Sequence, residues 1–164
     1  MKTKKSNIYD LYLIVKDNQL SDMPTASFVK TLKNINRARV ICQEIDAARE
    51  EASKQAITDE VREAGIKIEA HNTAIKLKMR GEDYEAENVL PYDDLKKMAE
   101  KQNDAYEKLA AYEKSWRDED VDIEIEKIPE DDFVRYVSGA IRKDGDKEVK
   151  ITNSQAALLY EMLV

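Results

Sequence analysis

The chain has 164 residues, 42% of them apolar and 37% charged, with a net charge of −7 and only four Gly and three Pro. That length fits one domain or one domain with a protruding arm, and the apolar share excludes wholesale disorder. No apolar run is long enough to cross a membrane, Leu11–Val15 is too short for a secretion signal, and the single Cys42 excludes an intrachain disulfide.

Residues 7–19 read as a short helix with Ile8, Leu11, Tyr12 and Val15 on one face and Ser6 as its cap; the continuous run Leu11–Val15 leaves a strand as the competing reading. Gln19 to Met23 is a turn, and Pro24 stands at a first helical position, where its missing N–H costs nothing. A long helix then runs from Pro24 to about Ile57, roughly 50 Å at 1.5 Å per residue. Its apolar stripe is Phe28, Leu32, Ile35, Ala38, Cys42, Ile45, Ala48 and Ala52. Residues 58–90 form an inserted arm. Ile57, Val61, Ala64, Ile68, His71, Ile75 and Met79 recur at spacings of three and four, which favours a helix. The alternations Ile66-Lys67-Ile68 and Ile75 to Met79 leave a strand pair as the rival. Gly65 weakens the helix and Gly81 is its expected stop.

Residues 91–118 form the returning helix, opened by Pro91, Asp93 and Asp94. Leu95, Met98, Gln102, Ala105, Leu109, Tyr112 and Trp116 make its seven-residue repeat. Residues 119–164 form a small α+β cap. Val121, Ile123 and Ile125 alternate with acids as a half-buried strand, ended by Pro129. Asp131 or Asp132 starts a short helix with Phe133, Tyr136 and Val137. Asp144-Gly145 is a turn, and Glu148–Ile151 is a second strand expected to pair with the first. Thr152 and Gln155 stand as a capping box before a last helix with Ala156, Leu159, Tyr160 and Leu163 on one face. The expectation is a mostly α single domain over residues 1–164: a long antiparallel helical hairpin, a small two-stranded sheet and a C-terminal capping helix. The stripe over 24–79 is longer than the returning helix can cover, so self-association into a homo-oligomer is expected through the surplus.

Charge is segregated. Residues 1–45 hold eight Lys and Arg against four acids, net +4, which leaves −11 for the remainder. A solvated outer face is the plain reading of each part. The functional reading is a cationic ridge. Lys30, Lys33 and Arg37 recur at helical spacing, Arg39 lies on the same turn, and Tyr9 and Tyr12 are candidates to stack beside them. Arg forks with aromatic rings suit a phosphorylated nucleotide. The acidic remainder disfavours duplex nucleic acid.

No catalytic constellation is legible. Cys42 and His71, the only Cys and the only His, read as a core residue and a seam or surface residue. Ile68 stands where a di-metal bundle needs Glu, and Asp118–Asp122 lacks the glycine and closing Glu of a calcium loop. No glycine loop cradles phosphate. No cofactor and no metal site are expected, and the chain is expected not to be an enzyme.

Four pieces in this order, "NQLSDMPTASFVKTLKNINRARVICQEIDAARE", "AYEKLAAYEKSW", "VDIEIEKIPEDDF" and "ITNSQAALLYEML", resemble a family of small phage and prophage proteins of unassigned function. Residues 58–90 and 135–148 stand as insertions relative to it. The resemblance implies a phage origin and action in the cytoplasm of the infected bacterium or in the virion. It transfers no site residue. Two expectations follow from ridge and resemblance together. One is a binding protein that sequesters a host factor, most concretely an anionic immune-signalling nucleotide held by Lys30, Lys33, Arg37, Arg39, Tyr9 and Tyr12 as an anti-defence device. The other is a virion assembly component such as a helical adaptor, scaffold or tail-assembly chaperone, whose partner is a host or phage protein.

Overall fold

In the computed structural model, which describes residues 1–18, 23–144 and 147–164, helix dominates. The helices are α1 (Lys5–Asp17), α2 (Thr25–Ala56), α3 (Asp59–Arg80), a 3-10 turn (Ala86–Asn88), α4 (Tyr92–Asp118), α5 (Glu130–Gly139) and α6 (Asn153–Leu163). The strands are β1 (Lys2–Lys4), β2 (Asp120–Asp122), β3 (Ile141–Asp144) and β4 (Lys147–Lys150). The long helices α2 and α4 pack on each other as a hairpin, and among the described residues no helix is long and apolar enough to cross a membrane. Residues 19–22 of the expected first turn and Gly145 of the expected Asp144-Gly145 turn lie outside the described residues. The chain divides into two compact units, residues 1–47 with 115–164 and residues 48–114.

In the first unit, α1 buries Ile8, Leu11, Ile14 and Val15, a helical stripe, while Tyr12 packs only partly against the core. Ser6 does not cap this helix. The N-cap is Lys4, whose side chain makes no capping bond, because the chain enters α1 directly from β1. The Lys5 N–H is taken up instead by the Glu119 carbonyl at 2.8 Å. α5 begins at Glu130, and its first-turn acids Glu130, Asp131 and Asp132 suit the helix dipole. α6 carries the expected capping box of Thr152 and Gln155. Lys127 donates to the Glu161 and Met162 carbonyls at its C-terminal end. Phe133, Tyr136, Ala140, Leu159, Met162 and Leu163 close the core over Ala38 of α2.

Two findings differ from the sequence reading. The 120–122 strand does not pair with the 147–150 strand. β2 runs antiparallel to β1, with Thr3 opposite Val121, and β4 pairs with β3, with Arg142 opposite Val149. Local connection favours β3–β4, and the Met1 backbone extends the other pair by exchanging bonds with Ile123. The second difference is the register of α2. Its buried face starts as Ser27, Thr31 and Asn34 before continuing as Ala38, Cys42 and Ile45, whereas Leu32 is exposed. The chain beyond β2 lies along this part of α2, where Asn34 satisfies its Glu126 backbone groups, while Ser27 donates to the Asp132 carboxylate and Thr31 to the Ser27 carbonyl of its own helix.

In the second unit, α2 ends at Ala56 and α3 starts afresh, with Thr58 accepting from the Val61 N–H. The helix reading of 59–80 holds over the strand pair. Gly81 stops it at φ 71°, the left-handed conformation only glycine adopts cheaply. A Cβ at Gly65 would stand 2.6 Å from Gln102 Nε2, the far end of a flexible side chain on α4 that lies over this turn. The fully buried apolar side chains of this unit, among those described, are Ala64, Ala74 and Ala105. Leu95, Met98, Leu109 and Tyr112 of the heptad stripe are half-buried, and so are Ile57, Val61, Ile68 and Ile75.

Candidate functional site

The ridge on α2 is where chemistry-bearing side chains converge in the first unit. Lys30, Asn34 and Arg37 follow at helical spacing, so they face one way, with Lys33 on the flank. Against them lies the extended segment from Ile123 to Ile128. As far as Glu126 the odd positions of this stretch point inward, with Ile123 buried and Val121 and Ile125 packed partly against the core; the alternation then shifts, leaving Lys127 exposed and Ile128 buried. Glu124 and Glu126 therefore point outward and meet the cations, as the period of an extended chain requires.

The contacts are specific. Asn34 Nδ2 donates to the Glu126 carbonyl at 2.9 Å, and Asn34 Oδ1 accepts the Glu126 N–H at 2.8 Å. The side-chain amide thus imitates a neighbouring strand and satisfies both backbone groups of one residue. Arg37 reaches the Glu124 carboxylate at 3.1 Å, the Glu126 carboxylate at 3.4 Å and the Glu124 carbonyl at 3.3 Å. Lys33 pairs with Glu126 at 3.2 Å, and Lys30 donates to the Lys127 carbonyl at 2.9 Å. Ser27 donates to Asp132 at 2.5 Å. The ridge is an anion and carbonyl receptor, and the anions it holds are the chain's own.

Of the six residues expected to bind ligand, the structure brings Lys30, Lys33 and Arg37 together. Arg39 is exposed and makes no ion pair among the described residues. Tyr9 donates to Asp46 at 2.8 Å and lies against Trp116, with ring centroids 5.5 Å apart. Tyr12 lies beneath Lys16, whose Nζ is 5.7 Å from the ring centroid. These two tyrosines serve the packing of α1 rather than the ridge. Sequence reasoning missed Asn34, whose position next to the cations was the available signal, and reads Glu124 and Glu126 only as the acids alternating along a half-buried strand, without a partner for them.

Cys42 is not primed as a nucleophile. Cys42 is buried, and burial, helped by the charge of Asp46, pushes its thiol up to about 12. His71 Nδ1 accepts the Leu90 N–H at 3.0 Å, which ties α3 to the connection before α4. Burial also pushes the Tyr136 phenol up, and no partner reaches its hydroxyl among the described residues. No group of His, Cys, Asp or Glu among the described residues is placed to hold a metal ion.

The second unit carries a groove of about 750 Å³ along α3. It is lined by Ile66, Ala70, Thr73 and Leu77 on the helix, and by Tyr84 and Glu85 in the connection that follows. On another face of α3 a smaller groove of about 260 Å³ has Glu60, Glu63 and Asp94 balanced by Lys67, Lys97 and Lys101.

Known protein families, curated proteins and solved structures yield no match to this chain.

Proposed function

We propose that the chain is a non-enzymatic interaction protein whose 48–114 unit docks on protein partners, as a helical adaptor or scaffold does. One observation carries the reading. In that unit the fully buried apolar side chains are three alanines, whereas Ile66, Met79, Tyr92 and Tyr106 stand exposed at 67, 83, 76 and 58%. Apolar side chains left in water are the surface that such a contact would cover. Within the phage setting that the resemblance implies, this is the virion assembly role. Multi-angle light scattering at micromolar concentration is expected to give at least a dimer mass, or purified particles are expected to contain the chain. A monomer that is also absent from particles overturns the reading.

The ridge supports a second reading, sequestration of an anionic nucleotide. Its cations already hold two carboxylates, and Glu124 is largely exposed, with 78% of its side chain in water, so an incoming phosphate competes for Arg37 from the solvent side. Titration calorimetry with cyclic nucleotides tests it. Arg37→Glu is expected to weaken binding by about tenfold or more through loss of one charge-assisted contact. Absence of heat with every such ligand removes this reading and leaves the first.

A further inference from the structure

The groove along α3 has a pattern that names its occupant. Its helical floor is Ile66, Ala70, Thr73, Ala74 and Leu77, spaced as one face of three turns. From Ile66 to Leu77 that floor runs about 16 Å, the length over which a partner helix lays three turns. The opposite wall is Asp83, Tyr84, Glu85 and Asn88.

The wall is held in place. Gly81 and Glu82 donate to the carbonyls of Lys78 and Leu77, which turns the chain back along the helix. Asn88 donates to Glu85 at 2.7 Å, and His71 takes the Leu90 N–H at the far end. Lys78 sits over the Tyr84 ring at 5.8 Å. A groove whose walls are tied at both ends exists before a partner arrives, so little ordering entropy opposes docking.

The charge is one-sided. The ionisable side chains lining the groove, Glu69, Asp83 and Glu85, are all acids. From residue 82 to 94 the chain carries six acids and neither Lys nor Arg. The smaller groove on α3 balances its three acids with three lysines, so the two grooves differ in kind. An apolar floor under a rim with three carboxylates and the nearby cation Lys78 disfavours nucleic acid and anionic lipid and favours a cationic apolar surface.

We propose that this groove receives an amphipathic helix of a partner protein, with apolar residues at i, i+3 or i+4 and i+7 on its buried face and Lys or Arg along its flanks. The proposal rests on the reading of the 48–114 unit as a protein-docking unit and names the surface and the partner chemistry. The mode is helix-in-groove recognition: apolar anchors supply affinity, and the acidic rim sets orientation and excludes acidic helices.

The test uses the full chain and a fluorescein-labelled peptide of about five helical turns, with Leu on one face and Lys and Arg on its flanks. Anisotropy is expected to show saturable binding that weakens as salt rises. Thr73→Arg, which places a long cation on the exposed floor, is expected to weaken it by about tenfold or more. Glu69→Lys with Asp83→Lys is expected to do the same. Asp104→Lys with Glu107→Lys, an equal charge change on α4 outside the groove, is expected to leave binding nearly unchanged. Circular dichroism of every variant confirms that the helices persist. Equal binding of a scrambled peptide of the same composition, equal loss in the α4 control, or binding indifferent to Thr73→Arg overturns the proposal. If the peptide fails while the chain still self-associates or enters particles, the groove proposal falls and the docking role stands. If Thr73→Arg instead abolishes self-association, the occupant is a second copy of this chain and the partner named here is wrong.

Discussion

The two units are built by different rules. The first buries Ile8, Leu11, Tyr136, Leu159, Met162 and Leu163 almost completely, and its helices meet around one apolar centre. The second buries alanines and leaves its larger apolar side chains at half exposure. Its helices are bounded locally by the Thr58 cap and the Gly81 stop, and are joined to one another by ion pairs such as Lys101–Glu60 at 2.9 Å and Arg49–Glu113 at 3.0 Å. Exposed ion pairs of this kind each contribute little. The comparison separates a part with a closed apolar core from a part whose larger apolar side chains stay accessible, and it breaks if the two respond alike to truncation.

The largest effect is expected in the first unit. Leu159→Ala should cost about 2–5 kcal/mol in denaturant unfolding, because a fully buried side chain leaves a cavity. Leu109→Ala, at half exposure in the second unit, should cost about 1 kcal/mol. Equal losses at the two positions would erase the distinction between the units.

Asn34→Ala is the next largest. It strips both partners from the Glu126 backbone and should cost about 1–3 kcal/mol, more than Lys33→Ala on the exposed flank. Asn34→Asp should be no better, since it removes the donor and adds a charge facing Glu124 and Glu126. Loss of hydrogen-exchange protection at the Glu126 amide localises the effect. An unchanged midpoint for Asn34→Ala would mean that the segment is held by apolar packing alone.

Tyr136→Phe sharpens the account of the core. The hydroxyl is buried without a partner among the described residues, so its removal should be neutral or raise stability by up to about 1 kcal/mol. A clear loss would reveal a hydrogen bond to a bound water.

The smallest effect is the pH response of the β1–β2 pair. Hydrogen bonds from Lys4 and then Lys2 hold the Asp120 carboxyl below its ordinary value of 3.8. A carboxyl lowered in the folded state contributes stability above the ordinary value and loses it as pH falls through the folded one. Exchange protection of the Lys5 amide, which donates to the Glu119 carbonyl, should therefore drop in acid, and Asp120→Asn should flatten that dependence. The same acid response in Asp120→Asn would assign it to another group.

Local chemistry in the sequence determined the helices themselves. The spacing of Leu95 to Trp116, the scarcity of Gly and Pro, the Gly81 stop and the Thr152–Gln155 box are all decided within a few residues of chain, so α2, α4, α6 and the end of α3 were legible to within a residue or two, whereas the start of α3 and its rival strand pair were not decided there. Lys30, Lys33 and Arg37 were legible as a ridge for the same reason. Partners far apart in sequence were not. β2 finds β1 across most of the chain, and the acidic segment finds the ridge across 87 to 97 residues. Only the closed fold decided that Ser27, Thr31 and Asn34 are buried in place of Leu32. The extended segment lacks internal hydrogen bonds, so Asn34 serves its backbone, while Ser27 meets the Asp132 carboxylate and Thr31 its own helix; apolar periodicity carries no signal of such partners.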